Sequence, residues 1–198
     1  VFAQSGEAVE YYVLLDISAS IRSTRFEDIK ASLSNFVQSI REQDRIVLMT
    51  FGDQTAVRLD GNQSREDAQS VISQLTNKDQ NTMFFDAVSN VTDMINNADS
   101  QSQMRRIVVI ISDGKDCSDN TRNMDNVEKD LMANGIPVYS VAVENNEGDT
   151  KEAISDYQGK FSALARNTGG LPWTAQSEQT SVYEALENIQ QSVLSSYR

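Results

Sequence analysis

Short continuous apolar runs alternate along the chain with longer stretches in which apolar residues recur every three or four positions. The first pattern suits strands covered on both faces, the second suits amphipathic helices. Residues 11–15 form the first run. Behind it, Phe26, Ile29, Leu33, Phe36, Val37 and Ile40 fall on one helical stripe, with Glu27, Lys30, Ser34 and Arg41 opposite. Residues 45–51 are a second buried strand. After the turn at Gly52-Asp53, the short segment 56–60 follows too closely for a parallel crossover, so residues 55–59 are expected to run antiparallel as an edge strand. Ser64 is placed to cap a helix reaching residue 75, and Thr82 or Asn81 to open another reaching residue 97. Residues 106–112 are the most apolar strand and are expected at the centre. A helix over 125–134 stops at Gly135, and a strand covers 137–143. A helix over 154–167 stops at Gly169-Gly170, and a short strand covers 171–175. An amphipathic helix over 178–195 closes the chain, with Val182, Leu186, Ile189 and Val193 inward.

This order predicts an α/β fold: a doubly wound, mostly parallel six-stranded sheet with one short antiparallel edge strand and helices on both faces. A length of 198 residues suits one domain. Only two prolines occur, without repeats or low-complexity tracts, so residues 10–198 read as a single domain preceded by a leader or linker at 1–9. Val1-Phe2-Ala3-Gln4 resembles the small-residue end of a secretory signal, with cleavage after Ala3, although an arbitrary boundary explains it equally well. In sheets of this kind ligands sit beyond the carboxyl ends of the strands, at the switch point. Asp16 and Ser112-Asp113-Gly114 both end strands, and the topology should bring them together.

Charge and composition narrow the chemistry. Seventeen basic and 29 acidic residues give a net charge of −12, which disfavours nucleic acid and anionic membrane surfaces. No apolar run approaches the roughly 18 residues that a membrane-spanning helix needs. The chain has no histidine, which removes Ser-His-Asp triads and most zinc or haem sites. A single cysteine, Cys117, cannot form an internal disulfide.

The sequence Leu14-Leu15-Asp16-Ile17-Ser18-Ala19-Ser20 ends a greasy run with an acid and two hydroxyls at alternate positions. Together with Thr82 and Asp113 these residues offer two carboxylates and three hydroxyls. Hard oxygens of that kind suit a hard divalent cation, and the neutral hydroxyls leave much of its charge uncompensated. The expected ion is Mg²⁺, with water in some positions and one position open to an incoming carboxylate. Asp86, one helical turn after Thr82, is placed either to support the threonine loop or to stabilise the helix terminus.

Asp16-Ile17-Ser18-Ala19-Ser20, Thr82 and Ser112-Asp113-Gly114 resemble the metal-ion-dependent adhesion site of von Willebrand factor type A domains, of a bacterial or integrin-I-like kind. The likeness runs from residue 11 to about residue 195. It implies that Ser18, Ser20 and Thr82 contact the metal, that Asp16 and Asp113 contact it directly or through water, and that Mn²⁺ or Ca²⁺ could replace Mg²⁺. It further implies a protein partner supplying Asp or Glu to the ion, on a cell surface or in a secreted assembly, and movement of the closing helix with ligand affinity. Ala19 and Asn81 depart from the family, which often has glycine at both positions.

Other readings are plainer. Asp116, Asp119 and Asp125 lack the spacing of a calcium loop and read as a solvated acidic segment, in which Cys117 is incidental. Trp173 and Tyr139 read as sheet and core residues, and Arg105-Arg106 as flanking the central strand. Gly169-Gly170 follows a helix and so is no phosphate cradle. The sequence therefore points to a binding module and not an enzyme. The rivals are an intracellular scaffold subunit of a larger metal-dependent or ATPase-linked complex and a Mg²⁺-dependent phosphoester hydrolase.

Overall fold

The computed structural model describes residues 6–98, 103–117, 124–144, 150–175 and 182–196. Strands β1 (Val9–Asp16), β2 (Arg45–Phe51), β3 (Thr55–Asp60), β4 (Arg105–Ser112), β5 (Val138–Val143) and β6 (Pro172–Ala175) form one sheet, in the order β3-β2-β1-β4-β5-β6. Every neighbouring pair is parallel except β2 with β3, so the short link at Gly52-Asp53 does reverse the chain onto an edge. The helices are α1 (Ser23–Ser39), α2 (Arg65–Ser73), α3 (Phe84–Asn97), α4 (Met124–Ala133), α5 (Lys151–Asn167) and α6 (Val182–Ser195).

The period of two along a strand divides the core into two layers. Tyr11, Val13 and Leu15 face one side with Ile107, Val109 and Ile111, and α1, α2 and α6 cover them. Tyr12 and Leu14 face the other side with Val108 and Ile110, under α3, α4 and α5. The continuous apolar run thus serves two cores at once. Phe36 of α1 meets Tyr11 edge-on at 5.2 Å between ring centroids and is fully buried; truncating it to alanine would cost about 3–5 kcal/mol. Tyr139 and Trp173 stack at 6.3 Å on the sheet, as expected of core residues. On α6, Leu186, Ile189 and Val193 are buried, and the Arg105 guanidinium donates to the Val193 carbonyl at 3.0 Å.

Two helix starts differ from expectation. Helix α5 begins at Lys151, one residue after Thr150, whose hydroxyl accepts the Ala153 N–H at 3.2 Å. The polar residues of that first turn carry no apolar stripe, so periodicity alone starts the helix late. The second difference, at α3, bears on the site. Helix α2 follows the pattern: Ser64 accepts the Asp67 N–H at 3.1 Å. Of the predicted closing helix, residues 178–181 lie outside the described residues.

Strand β1 lies between β2 and β4. The chain leaves β1 toward one side of the sheet and later returns on the other, which makes the carboxyl ends of β1 and β4 the switch point.

Candidate metal centre

At the end of β1 the Asp16 side chain turns the backbone itself: its Oδ1 accepts the Ser18 N–H at 2.8 Å. That turn frees the next two hydroxyls from strand geometry, and Ser18 Oγ and Ser20 Oγ come within 2.8 Å of each other. Ile17 points the other way, into the layer covered by α1. The loop is pinned from outside by Asp79, whose carbonyl accepts the Ala19 N–H at 2.8 Å and whose N–H reaches the Ile17 carbonyl at 3.3 Å.

At the end of β4, Ser112 Oγ donates to Asp16 Oδ2 at 2.7 Å and accepts the Gly114 N–H at 3.0 Å. Asp113 Oδ1 accepts the Lys115 N–H at 2.9 Å. Gly114 sits at φ +84°, a left-handed conformation that costs glycine nothing. The turn at the carboxyl end of β4 holds Asp113 beside Asp16. Both carboxylates are fully buried. Burial and the neighbouring Asp113 charge raise the pKa of Asp16 to about 7, against the lowering pull of hydrogen bonds from Ser18 and Ser112. Two buried acids side by side resist double ionisation unless a cation joins them.

Thr82 is buried, but it does not open α3. That helix starts at Phe84, its cap position is Met83, and no side chain caps it from there. Asp116 supplies the cap from across the site: its Oδ1 accepts the Phe84 N–H at 3.0 Å and the Phe85 N–H at 3.3 Å. Asp116 is thus half-buried and engaged, not a solvated loop residue. The neighbouring Cys117 N–H donates to the Thr82 carbonyl at 2.8 Å, while the Cys117 side chain is exposed. Asp86 lies in the first turn of α3 and is half-buried. Asp125 lies in the first turn of α4, and Asp119 falls outside the described residues.

The structure thus draws the Asp16, Thr82 and Asp113 segments together at the carboxyl ends of the central strands. Sequence reasoning overlooked Asp53 and Asp79 and misread Asp116. In the sequence Gly52 reads only as a turn residue; the structure shows that a Cβ there would overlap the Asp79 carboxylate. Among the described residues no three acidic or cysteine side chains gather as a metal cluster. A cation here would have to rely on hydroxyls as well as the two carboxylates, and that donor set fits a hard divalent ion.

An open, mostly parallel sheet with helices on both faces and acids and hydroxyls at its switch point defines a doubly wound α/β class. A family model described as von Willebrand factor type A domain matches residues 11–172, and the chain belongs to that family. Its domains commonly mediate protein interactions. Conserved hypothetical protein BatB from Bacteroides thetaiotaomicron shares the fold at a TM-score of 0.72 and 18% identity, over 95% of this chain and 99% of that one. An aerotolerance-related membrane protein from Bacteroides fragilis aligns at 0.71 and 17%, over 92% and 97%. Proximal thread matrix protein 1 from the mussel byssus, with a zinc-occupied MIDAS motif, aligns at 0.69 and 15%, over 98% of this chain and 47% of that one. No curated protein matches this chain.

Proposed function

We propose that this domain is a metal-dependent protein-binding module that holds Mg²⁺ at Asp16, Ser18, Ser20, Thr82 and Asp113 and captures an acidic side chain of a partner. The observation that carries the reading is the burial of Asp16 beside Asp113 within a nest of hydroxyls, an arrangement that a divalent cation would relieve. The zinc-occupied motif of the mussel byssus protein supports the same use of the fold. When bound, the ion supplies an electrophilic position for a carboxylate. The protein's own residues orient and enclose it: the Asp16–Ser18 turn aims the serine hydroxyls, and Ser112 fixes the Asp16 carboxylate. Binding, not turnover, is the role proposed.

The net charge of −12 makes the metal the means by which an acidic partner is attracted to an acidic domain. An extracellular or cell-surface setting belongs to the same proposal. The likeness to a Bacteroides fragilis membrane protein supports it. No helix among the described residues is long and apolar enough to cross a membrane.

Calorimetric titration with Mg²⁺, Mn²⁺ and Ca²⁺ tests the first step. Saturable binding that Asp16→Ala and Asp113→Ala each abolish is expected. Acetate, as the simplest carboxylate probe, should then perturb the relaxation of bound Mn²⁺. Metal binding without any carboxylate response would refute capture, and phosphoester turnover would favour a hydrolase.

A further inference from the structure

We infer that Asp53 and Asp116 are positioning residues for the Thr82 hydroxyl: two carboxylates that hold the backbone on either side of it. The inference rests on the metal-binding reading above. Residues 80–83 have neither helical nor strand structure, yet a ligand must be held to within about half an ångström to serve a metal. With no helix or strand around it, Thr82 is held by hydrogen bonds to its own carbonyl and to its neighbours' backbone.

Those bonds run to two loops. Before Thr82, Asp53 Oδ1 accepts both the backbone N–H and the side-chain amide of Asn81, each at 2.9 Å. The Asp53 N–H is itself held by Asp79 Oδ2 at 2.9 Å, and the Met83 N–H reaches the Gly52 carbonyl at 3.0 Å. After Thr82, Asp116 Oδ1 accepts the first two N–H groups of α3, and the Cys117 N–H donates to the Thr82 carbonyl. The backbone is thus tied at residues 81, 82, 83, 84 and 85, and Thr82 has little freedom left.

The two carboxylates do different work. Asp116 stands three residues after Asp113 in the same turn, so one turn both offers a metal ligand and sets the position of another. Its charge also meets the N-terminus of α3, where anions are favoured and where N–H groups bond strongly to carboxylates. Asp53 acts from the β2–β3 link and is exposed, so its grip is weaker. It also explains the departure at residue 81, because glycine there would lack the amide that makes the second bond to Asp53.

Mn²⁺ and Mg²⁺ titration of the whole chain, far below its unfolding temperature, tests the assignment. Asp116→Ala should weaken both metals about tenfold, the lower end of what losing a supporting partner of a ligand costs, and Asp53→Ala by less. Asp116→Asn keeps the Oδ1 acceptor and should bind close to the unaltered chain, which covers a poorly folding alanine variant. Each Asp116 variant is also made with Thr82→Ala, with Mn²⁺ read by its paramagnetic signal so that weak binding stays measurable. If Asp116 acts through Thr82, its loss should have no further effect once the hydroxyl is gone. Unchanged affinity in Asp116→Ala, or an equal further loss in the Thr82→Ala background, overturns the inference. Failure of the unaltered chain to bind either metal would instead sink the metal reading, a distinct result.

Discussion

Asp44 and Asp16 are both buried carboxylates, at opposite ends of the neighbouring parallel strands β2 and β1, and their surroundings are reversed. Asp44 accepts the Val9 N–H at 2.9 Å, the Arg41 N–H at 3.3 Å, and the Arg41 guanidinium from Nε at 2.9 Å and Nη2 at 2.7 Å. A cation answers its charge, and the group ties the end of α1 to the start of β1. Asp16 has hydroxyl and N–H partners but faces Asp113, a second acid. The first carboxylate is complete within the chain. The second is electrostatically incomplete, and a buried charge left so is where an outside ligand is worth most.

The sharpest way to break this contrast is to remove each acid in turn. Asp44→Ala strands the Arg41 guanidinium and the Val9 N–H, and should cost about 3–5 kcal/mol in urea denaturation with Mg²⁺ affinity unchanged. A loss near zero would show that the pair is only a surface bridge.

Removing the Ser112 hydroxyl takes a partner from Asp16 Oδ2 and from the Gly114 N–H. Ser112→Ala should destabilise the chain by about 1–3 kcal/mol and also weaken Mg²⁺, because the Asp16 carboxylate loses its orientation. Stability lost with metal affinity intact would detach Ser112 from the site.

Asp16→Asn should change stability least. In chelator it relieves the repulsion with Asp113, and stability should hold or rise by about 1 kcal/mol, the worth of one pKa unit. Its effect lies elsewhere: added Mg²⁺ should raise the melting temperature of the unaltered chain through preferential binding to the folded state, and leave that of the variant alone. A large loss of stability in Asp16→Asn would make Asp16 a structural acid like Asp44.

The elements that carry the site were legible because their signals are local. The run ending in Asp16-x-Ser18-x-Ser20 reads as a buried strand with a polar turn, and the link at Gly52-Asp53 is too short for anything but reversal, so β3 follows from geometry. Thr82 was harder. Its neighbourhood looks like a helix start, yet α3 begins at Phe84 because the group capping it, Asp116, lies 32 residues away from Phe84. The bond between Asp53 and Asn81 spans 28 residues. No periodicity links such pairs, and an aspartate in a loop looks the same whether it caps a distant helix or meets only water.

The sheet is open, and both of its outer strands are poor templates for another chain. Strand β6 is four residues long and begins with Pro172, which has no N–H to offer a ladder. Strand β3 carries Arg58 and a register shift opposite Leu48/Met49, and these spoil the flat run of groups that edge-to-edge joining needs. Crowded copies of this domain should therefore stay separate instead of fusing into fibrils, leaving each free to meet something other than itself.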